Sequence, residues 1–464
     1  MRKWANLVAP NDPGAWYDVD GVYPTSRGTY KTTAFPVGAT NAASGAGTVV
    51  YAFAANTVAS TVEWVVDSAR IWSYVAGLND KTGAVTIGSY PHMAQYGNIT
   101  VCAMGVGAAT VVSTSGGTFA ALAGAPNAEI AVVQSNCVLL FNTATSADGW
   151  AASDVGDHTN WTTGEAASGR LIQTPGPITA AVAFQDVVIV FKANSVYRMR
   201  YVGGTVKWTA EVIHQFAGCG TSLSVADKYM ACAGPHGVLF AGMGDQFTAS
   251  GTNIWLMDGA AQFDVVNRDT ALTSTLGGIS YFRYIHDYEL FTMWAGSANQ
   301  CWFYSPQSGM WGKATPHGAA GTAKPVMGGA NILQTRSVIP TSYYKSATDV
   351  ITRYQAVVAP VASSCYLQTS MVGTPDQKTL FERVTPLLRL RTDLGSDSAA
   401  LEVKTYRELQ DTSADRTLTI AESSPRKRFD FQATDCFARF KVTFTALTVE
   451  VDDFLIRAKS AGTD

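Results

Sequence analysis

Apolar residues along this chain come in brief runs, cut at short intervals by Gly, Asn, Asp, Ser and Pro. A surface helix would repeat its apolar positions every three to four residues, and that period is nearly absent. Short runs rich in β-branched and aromatic residues, bounded by turn formers, predict many strands joined by turns. The clearest unit is the hairpin from Phe184 to Tyr201. Val187–Phe191 is apolar on consecutive residues, which predicts a strand covered on both faces. The turn is read as Lys192-Ala193-Asn194-Ser195. Beyond it Val196, Arg198 and Arg200 alternate with Tyr197, Met199 and Tyr201, so one face should meet water.

Similar hairpins recur. Glu129–Val133 pairs with Cys137–Phe141 across Ser135-Asn136, Gly237–Phe240 with Asn253–Met257, and Tyr288–Trp294 with Cys301–Tyr304. Weaker copies are Val62–Val66 with Ile71–Val75, and Tyr96–Val101 with Ala109–Ser113. Stacked blades explain strands buried on both faces, because neighbouring blades cover each inner strand. At ~45 residues per blade, residues 43–314 would hold roughly six blades of a β-propeller. The rival architecture is two or three β-sandwiches.

Residues 1–42 read as an extended N-terminal arm. Residues 315–334, dense in Gly, Pro and Ala from Thr315 to Gly329, read as a linker. Beyond them charge rises and strands alternate, as in Leu387–Thr392, Leu401–Tyr406, Cys436–Phe444 and Leu447–Ile456. Residues 335–464 are therefore expected to form a C-terminal, sandwich-like β domain with a frayed end at Ser460–Asp464. The fold class predicted is all-β.

Composition narrows the function. Of 464 residues, 47% are apolar and only 15% charged, ample for large cores. Against 36 acidic residues stand 33 basic ones, a net charge of −3. A dedicated nucleic-acid binder needs a basic excess to neutralise phosphates; a surface that DNA slides past does not. Seven cysteines, with no C-x-x-C, read as buried reduced thiols. The N-terminus has no sustained apolar region of a signal peptide. No eighteen-residue apolar run exists to span a membrane as a helix.

Candidate chemistry is sparse. The six histidines (His92, His158, His214, His236, His286 and His317) form no close pair. The densest polar cluster is Asp154-Val-Gly-Asp157-His158-Thr-Asn-Trp161. A loop whose Asp side chains bond nearby backbone N–H groups outweighs a metal or acid–base role there. The same stretch partly matches the Asp-box turn of sialidase-like propellers, at shifted spacing and only once. Sialidase chemistry also needs an arginine triad, and Arg170, Arg198 and Arg200 cannot be placed in one from sequence. Gly218-Cys-Gly220 and Gly203-Gly204 are lone signals, with no phosphate-binding loop or nucleophile elbow beside them. Arg426-Lys427-Arg428 reads as a solvated turn, and Asn98 and Asn160 match the glycosylation pattern by chance frequency. No catalytic, cofactor or metal residue is assigned, and no enzyme activity is expected.

Three segments carry a family resemblance. The arm Trp16-Tyr-Asp18-Val-Asp-Gly-Val22-Tyr-Pro24-Thr-Ser-Arg-Gly28-Thr-Tyr30 holds a Val-x-Pro followed by an Arg-Gly-x-aromatic turn. Next come Asp154–Asp157, Trp161, Pro175-Gly-Pro-Ile178 and the hairpin from Asp186 to Tyr197. The third is Ala438–Val442 with Leu455–Arg457. Together they resemble the tail nozzle proteins of short-tailed bacteriophages, also called tail-hub or packaged-DNA stabilisation proteins. The resemblance implies a propeller joined to a second β domain. It also implies a structural virion protein, made in the host bacterial cytoplasm and assembled as a ring, a hexamer, at the distal end of the tail. Its partners would be tail adaptor and portal-complex proteins and tail fibres or spikes. Double-stranded DNA would pass non-specifically through the ring. One basic residue per subunit would give about six phosphate contacts, enough for salt-dependent retention. The alternatives are a carbohydrate-binding or glycan-cleaving propeller and a bacterial scaffold propeller.

Overall fold

The structure, a computed structural model, describes residues 3–4, 15–32, 36–41, 48–56, 61–74, 77–88, 90–220, 228–243, 252–266, 280–295, 300–315, 324–327, 342–345, 351–356, 365–369, 371–373, 379–390, 399–406, 414, 416–422, 429–444 and 449–460. No α-helix occurs among them. The chain is an all-β protein, whose described residues form six propeller blades and a sandwich-like C-terminal domain.

Each blade is four antiparallel strands in sequence order; blades 2 to 5 are separate sheets, and blades 1 and 6 belong to larger ones. Blade 1 is Val49–Asn56, Thr61–Asp67, Ile71–Tyr74 and Leu78–Asp80, and blade 2 is His92–Tyr96, Ile99–Ala103, Val111–Thr114 and Ala120–Ala121. Blade 3 is Ala128–Gln134, Cys137–Thr143, Ser146–Ala152 and Ala167–Arg170, and blade 4 is Ile178–Phe184, Val187–Lys192, Ser195–Gly203 and Lys207–His214. Blade 5 is Ala231–Gly234, Gly237–Met243, Thr252–Met257 and Phe263–Val265, and blade 6 is Ser280–Ile285, Leu290–Ala295, Gln300–Ser305 and Met310–Ala314.

Local chemistry accounts for these units. In blade 3, Ser135 (φ 51°) and Asn136 (φ 56°) are both left-handed, the two-residue turn whose twist matches the flanking strands. In blade 4, Val187–Lys192 is buried throughout while Arg198 and Arg200 face water opposite buried Tyr197 and Met199, as the apolar pattern predicted. First strands of successive blades pack side by side from blade 2 to blade 6. Between blades 6 and 1 the Tyr281 hydroxyl donates to Val50 O at 3.0 Å, closing the ring.

The C-terminal domain has two facing sheets. One contains Cys365–Thr369, Phe437–Phe444, Ala399–Tyr406 and Arg416–Glu422; the other contains Val449–Ser460, Thr379–Leu390 and Phe429–Asp435. Phe381 and Phe440, both fully buried, meet edge-on at 5.6 Å between them. Along Phe437–Phe444 the buried side chains Phe440, Val442 and Phe444 alternate with half-buried Arg439, Lys441 and Thr443, which is the half-exposed sheet expected there.

The segment expected as an arm is itself built into these sheets. Ala15–Asp20 pairs antiparallel with Cys365–Thr369, and Pro36–Asn41 with Ile351–Ala356. Between them the hairpin of Val22–Pro24 and Tyr30–Thr32 pairs with Met310–Ala314 of blade 6 on one edge and Val449–Ser460 on the other. One nine-stranded sheet thus runs from the propeller into the C-terminal domain. Gly28 (φ 80°) supplies the left-handed turn, and its N–H donates to Thr25 O at 3.0 Å. The Tyr30 hydroxyl donates to Trp311 O at 2.8 Å. Gly312 must be glycine: a β-carbon there would lie 2.5 Å from Val22 O. Within the segment expected as a linker, Lys324–Met327 forms a strand parallel to Val49–Asn56 of blade 1.

Candidate functional site

The propeller axis is the natural place for chemistry, because loops and inner strands from every blade converge there. In this chain side chains meet across it. Lys228 and Tyr229 precede the first strand of blade 5 and cross to the opposite side of the ring. The Tyr229 ring stacks on Tyr51 of blade 1 at 5.1 Å, on Tyr281 of blade 6 at 4.9 Å and on His92 of blade 2 at 6.1 Å. Its hydroxyl donates to Pro91 O at 2.5 Å. Lys228 Nζ donates to Glu129 O at 2.9 Å and meets Glu129 Oε2 at 3.0 Å, on blade 3. The other Glu129 oxygen accepts from Val106 N at 3.2 Å. Groups that touch blades on opposite sides of the ring can do so only across its axis.

The electrostatics of this cluster are those of a core. Burial raises the hydroxyls of Tyr51, Tyr229 and Tyr281 far above their ordinary value. Burial pushes the Cys102 thiol up to about 12. His92 is held down to about 3 by burial and by the charge of Lys228, with its Nδ1 3.0 Å from Ala131 O. Burial lowers Lys228 as well, opposed by Glu129. At neutral pH the phenols and the thiol keep their protons and the imidazole is neutral.

The cluster from Asp154 to Trp161 forms the loop between the third and fourth strands of blade 3. Asp154 Oδ1 accepts from Val155 N at 2.9 Å and Glu165 N at 2.7 Å, and its Oδ2 from Asn160 Nδ2 at 3.1 Å. Asp157 Oδ1 accepts from Thr159 N and its hydroxyl, and Asn160 Oδ1 from Thr162 N and Thr163 N. The acidic side chains are spent on local backbone, as expected. His158 stands apart from them, tilted against Tyr96 at 5.7 Å.

The remaining sequence candidates are not brought together. Arg170, Arg198 and Arg200 pair separately with Asp148, Glu211 and Asp186. His214 accepts from Ala217 N at 2.8 Å, His236 lies beside Gln307, and His286 beside Tyr284. His317 and Arg426-Lys427-Arg428 lie outside the described residues. Six of the cysteines are buried and Cys436 is half-buried; burial raises Cys137 to about 11. Among the described residues no group of three His, Cys, Asp or Glu side chains could hold a metal ion, and no helix is long and apolar enough to cross a membrane. Sequence reasoning missed Lys228, Tyr229 and Glu129. Their only signal is a lone Lys-aromatic pair directly before an apolar strand.

No protein-family model matches the chain, and no curated protein matches it in sequence. Among solved structures it is similar to a catalytically inactive virginiamycin B lyase from Staphylococcus aureus with quinupristin, at 9% identity and TM-score 0.41, over 69% of this chain and 100% of that one. It is also similar to the Pan2 WD40 domain of Neurospora crassa (9%, 0.42, 68% and 90%) and to the WD40 domain of Toxoplasma gondii coronin (12%, 0.42, 74% and 89%). At that distance these likenesses say nothing of activity. The propeller is read from the six four-stranded blades among the described residues.

Proposed function

We propose that this protein is a non-catalytic structural subunit of a short phage tail, assembling as a ring at the distal end of the tail through which DNA is retained and then guided. The observation that carries this reading is the hairpin Val22–Thr32. Of the residues that resemble the start of tail nozzle proteins, Val22 pairs with Lys313 of blade 6, Tyr30 pairs with Val451 of the C-terminal domain and donates to Trp311 O, and Pro24 and Gly28 shape the hairpin between them. A continuous sheet between the two domains suits a subunit held under internal genome pressure. The packed axis adds support. A DNA path would run between subunits, because Tyr229 and its neighbours occupy the middle of each propeller.

Negative-stain microscopy of the purified protein, alone and with the tail adaptor of its phage, tests the reading. Rings, or addition of the chain to the adaptor, are expected. Monomers under both conditions would overturn it.

A further inference from the structure

A groove of about 420 Å³ opens between blades 2 and 3, away from the axis. Its size is within the range of small-ligand sites. The loop joining the two blades contributes Gly124 and Pro126. The outer hairpin of blade 3 contributes Ser146, Ser168 and Arg170, and the Asp154 loop delivers Trp161. The pyrrole edge of Trp161 faces Gly124, where a β-carbon would sit 3.8 Å from Cδ1. The adjacent Nε1 is covered and has no hydrogen-bond partner.

The lining selects its ligand by elimination. Arg170 is engaged by Asp148 in a two-point pair, Nε to Oδ1 at 2.8 Å and a terminal nitrogen to Oδ2 at 3.1 Å. The Arg170 side chain holds the Asp148 carboxyl at about 2, so the pair stays ionised and its charges cancel. An anion finds no net positive charge to bind. A wholly apolar ligand would strip water from the exposed Ser168 hydroxyl and the Arg170 guanidinium without replacing it. A ligand that suits the groove is neutral, carries many hydroxyls, and has one apolar face for an indole. The guanidinium has five N–H donors and Asp148 takes two of them, leaving others for ligand oxygens.

We propose that this groove binds a neutral saccharide, one or two sugar units deep, with Trp161 as the aromatic wall and Arg170, held in place by Asp148, as the polar contact. This goes beyond the tail reading and does not depend on it, since binding is a property of the single chain. It would give a propeller whose side chains meet across the axis a recognition surface on its flank.

The test is a glycan array probed with the full chain, followed by titration of neutral di- and trisaccharides of hexose and N-acetylhexosamine units, with sialylated oligosaccharides and inorganic phosphate as controls. Affinity for a neutral sugar on the order of 1 mM is expected. Arg170→Ala and Ser168→Tyr both change exposed residues; Ser168→Tyr should keep the wild-type melting temperature, and Arg170→Ala, which frees Asp148, should lower it only slightly. Each should weaken binding by about ten-fold or more, Ser168→Tyr by filling the groove. The proposal is overturned if no neutral sugar binds, if only anionic sugars or phosphate bind, or if Ser168→Tyr binds as tightly as wild type.

Discussion

Lys228 and Glu129 lie 99 residues apart in sequence and form an ion pair of 3.0 Å across the propeller axis. Lys228 is 2% exposed and Glu129 9%. The carboxylate is held from both sides, by the ammonium and by Val106 N. A buried pair adds little over a well-packed apolar replacement, but breaking it strands a charge. Glu129→Gln should therefore cost about 3–5 kcal/mol of stability. The double variant Glu129→Leu with Lys228→Met should lose less than Glu129→Gln alone. Urea unfolding of the three proteins measures both. A double variant that loses as much as Glu129→Gln would mean that the single change strands no charge.

His92 sets an acid limit. Its folded value, about 3, lies below its ordinary value of 6.5. Between those values the unfolded chain takes up a proton that the folded protein refuses. Stability from this residue is therefore complete above about pH 6.5 and declines as pH falls towards 3. One proton corresponds to at most about 1.4 kcal/mol per pH unit. His92→Phe, which keeps a ring against Tyr51 and Tyr229, should flatten that decline. The urea midpoint followed from pH 7 to pH 4 would show it.

Asp154 organises its loop through hydrogen bonds. Its two oxygens already accept from Val155 N, Glu165 N and Asn160 Nδ2. Chelation with EDTA should leave the melting temperature unchanged. Asp154→Ala should lower stability by about 1–3 kcal/mol, the cost of orphaned donors. A fall in melting temperature on chelation that calcium restores would contradict the assignment.

Gly312 guards the joint between propeller and C-terminal domain. Gly312→Val would drive a side chain into Val22 O and Pro24. The expected loss is about 1–3 kcal/mol, with lifting of the hairpin. Arg27 sits exposed at its turn, so trypsin should cut there faster in the variant than in wild type. Unchanged cleavage would mean that the hairpin does not depend on this contact.

The blades were legible because each is contiguous in sequence. Val187–Phe191 shows its double burial in five adjacent residues, and Ser135-Asn136 shows its turn in two. The strands at the chain's beginning were not legible as sheet members. Ala15–Asp20 finds its partner at Cys365–Thr369, and Tyr30–Thr32 at Val449–Ser460. Nothing near them in sequence records so distant a pairing. The axis cluster was hidden for the same reason. Tyr51, His92, Glu129, Tyr229 and Tyr281 are ordinary strand or loop residues until the ring closes.

That long-range pairing has a price in time. Strands synthesised first stay bare-edged until segments made hundreds of residues later emerge, and such topologies fold slowly. While those edges wait, the matching segment of another copy can fill them. Refolding yield should therefore drop with protein concentration, with interlocked dimers as the by-product.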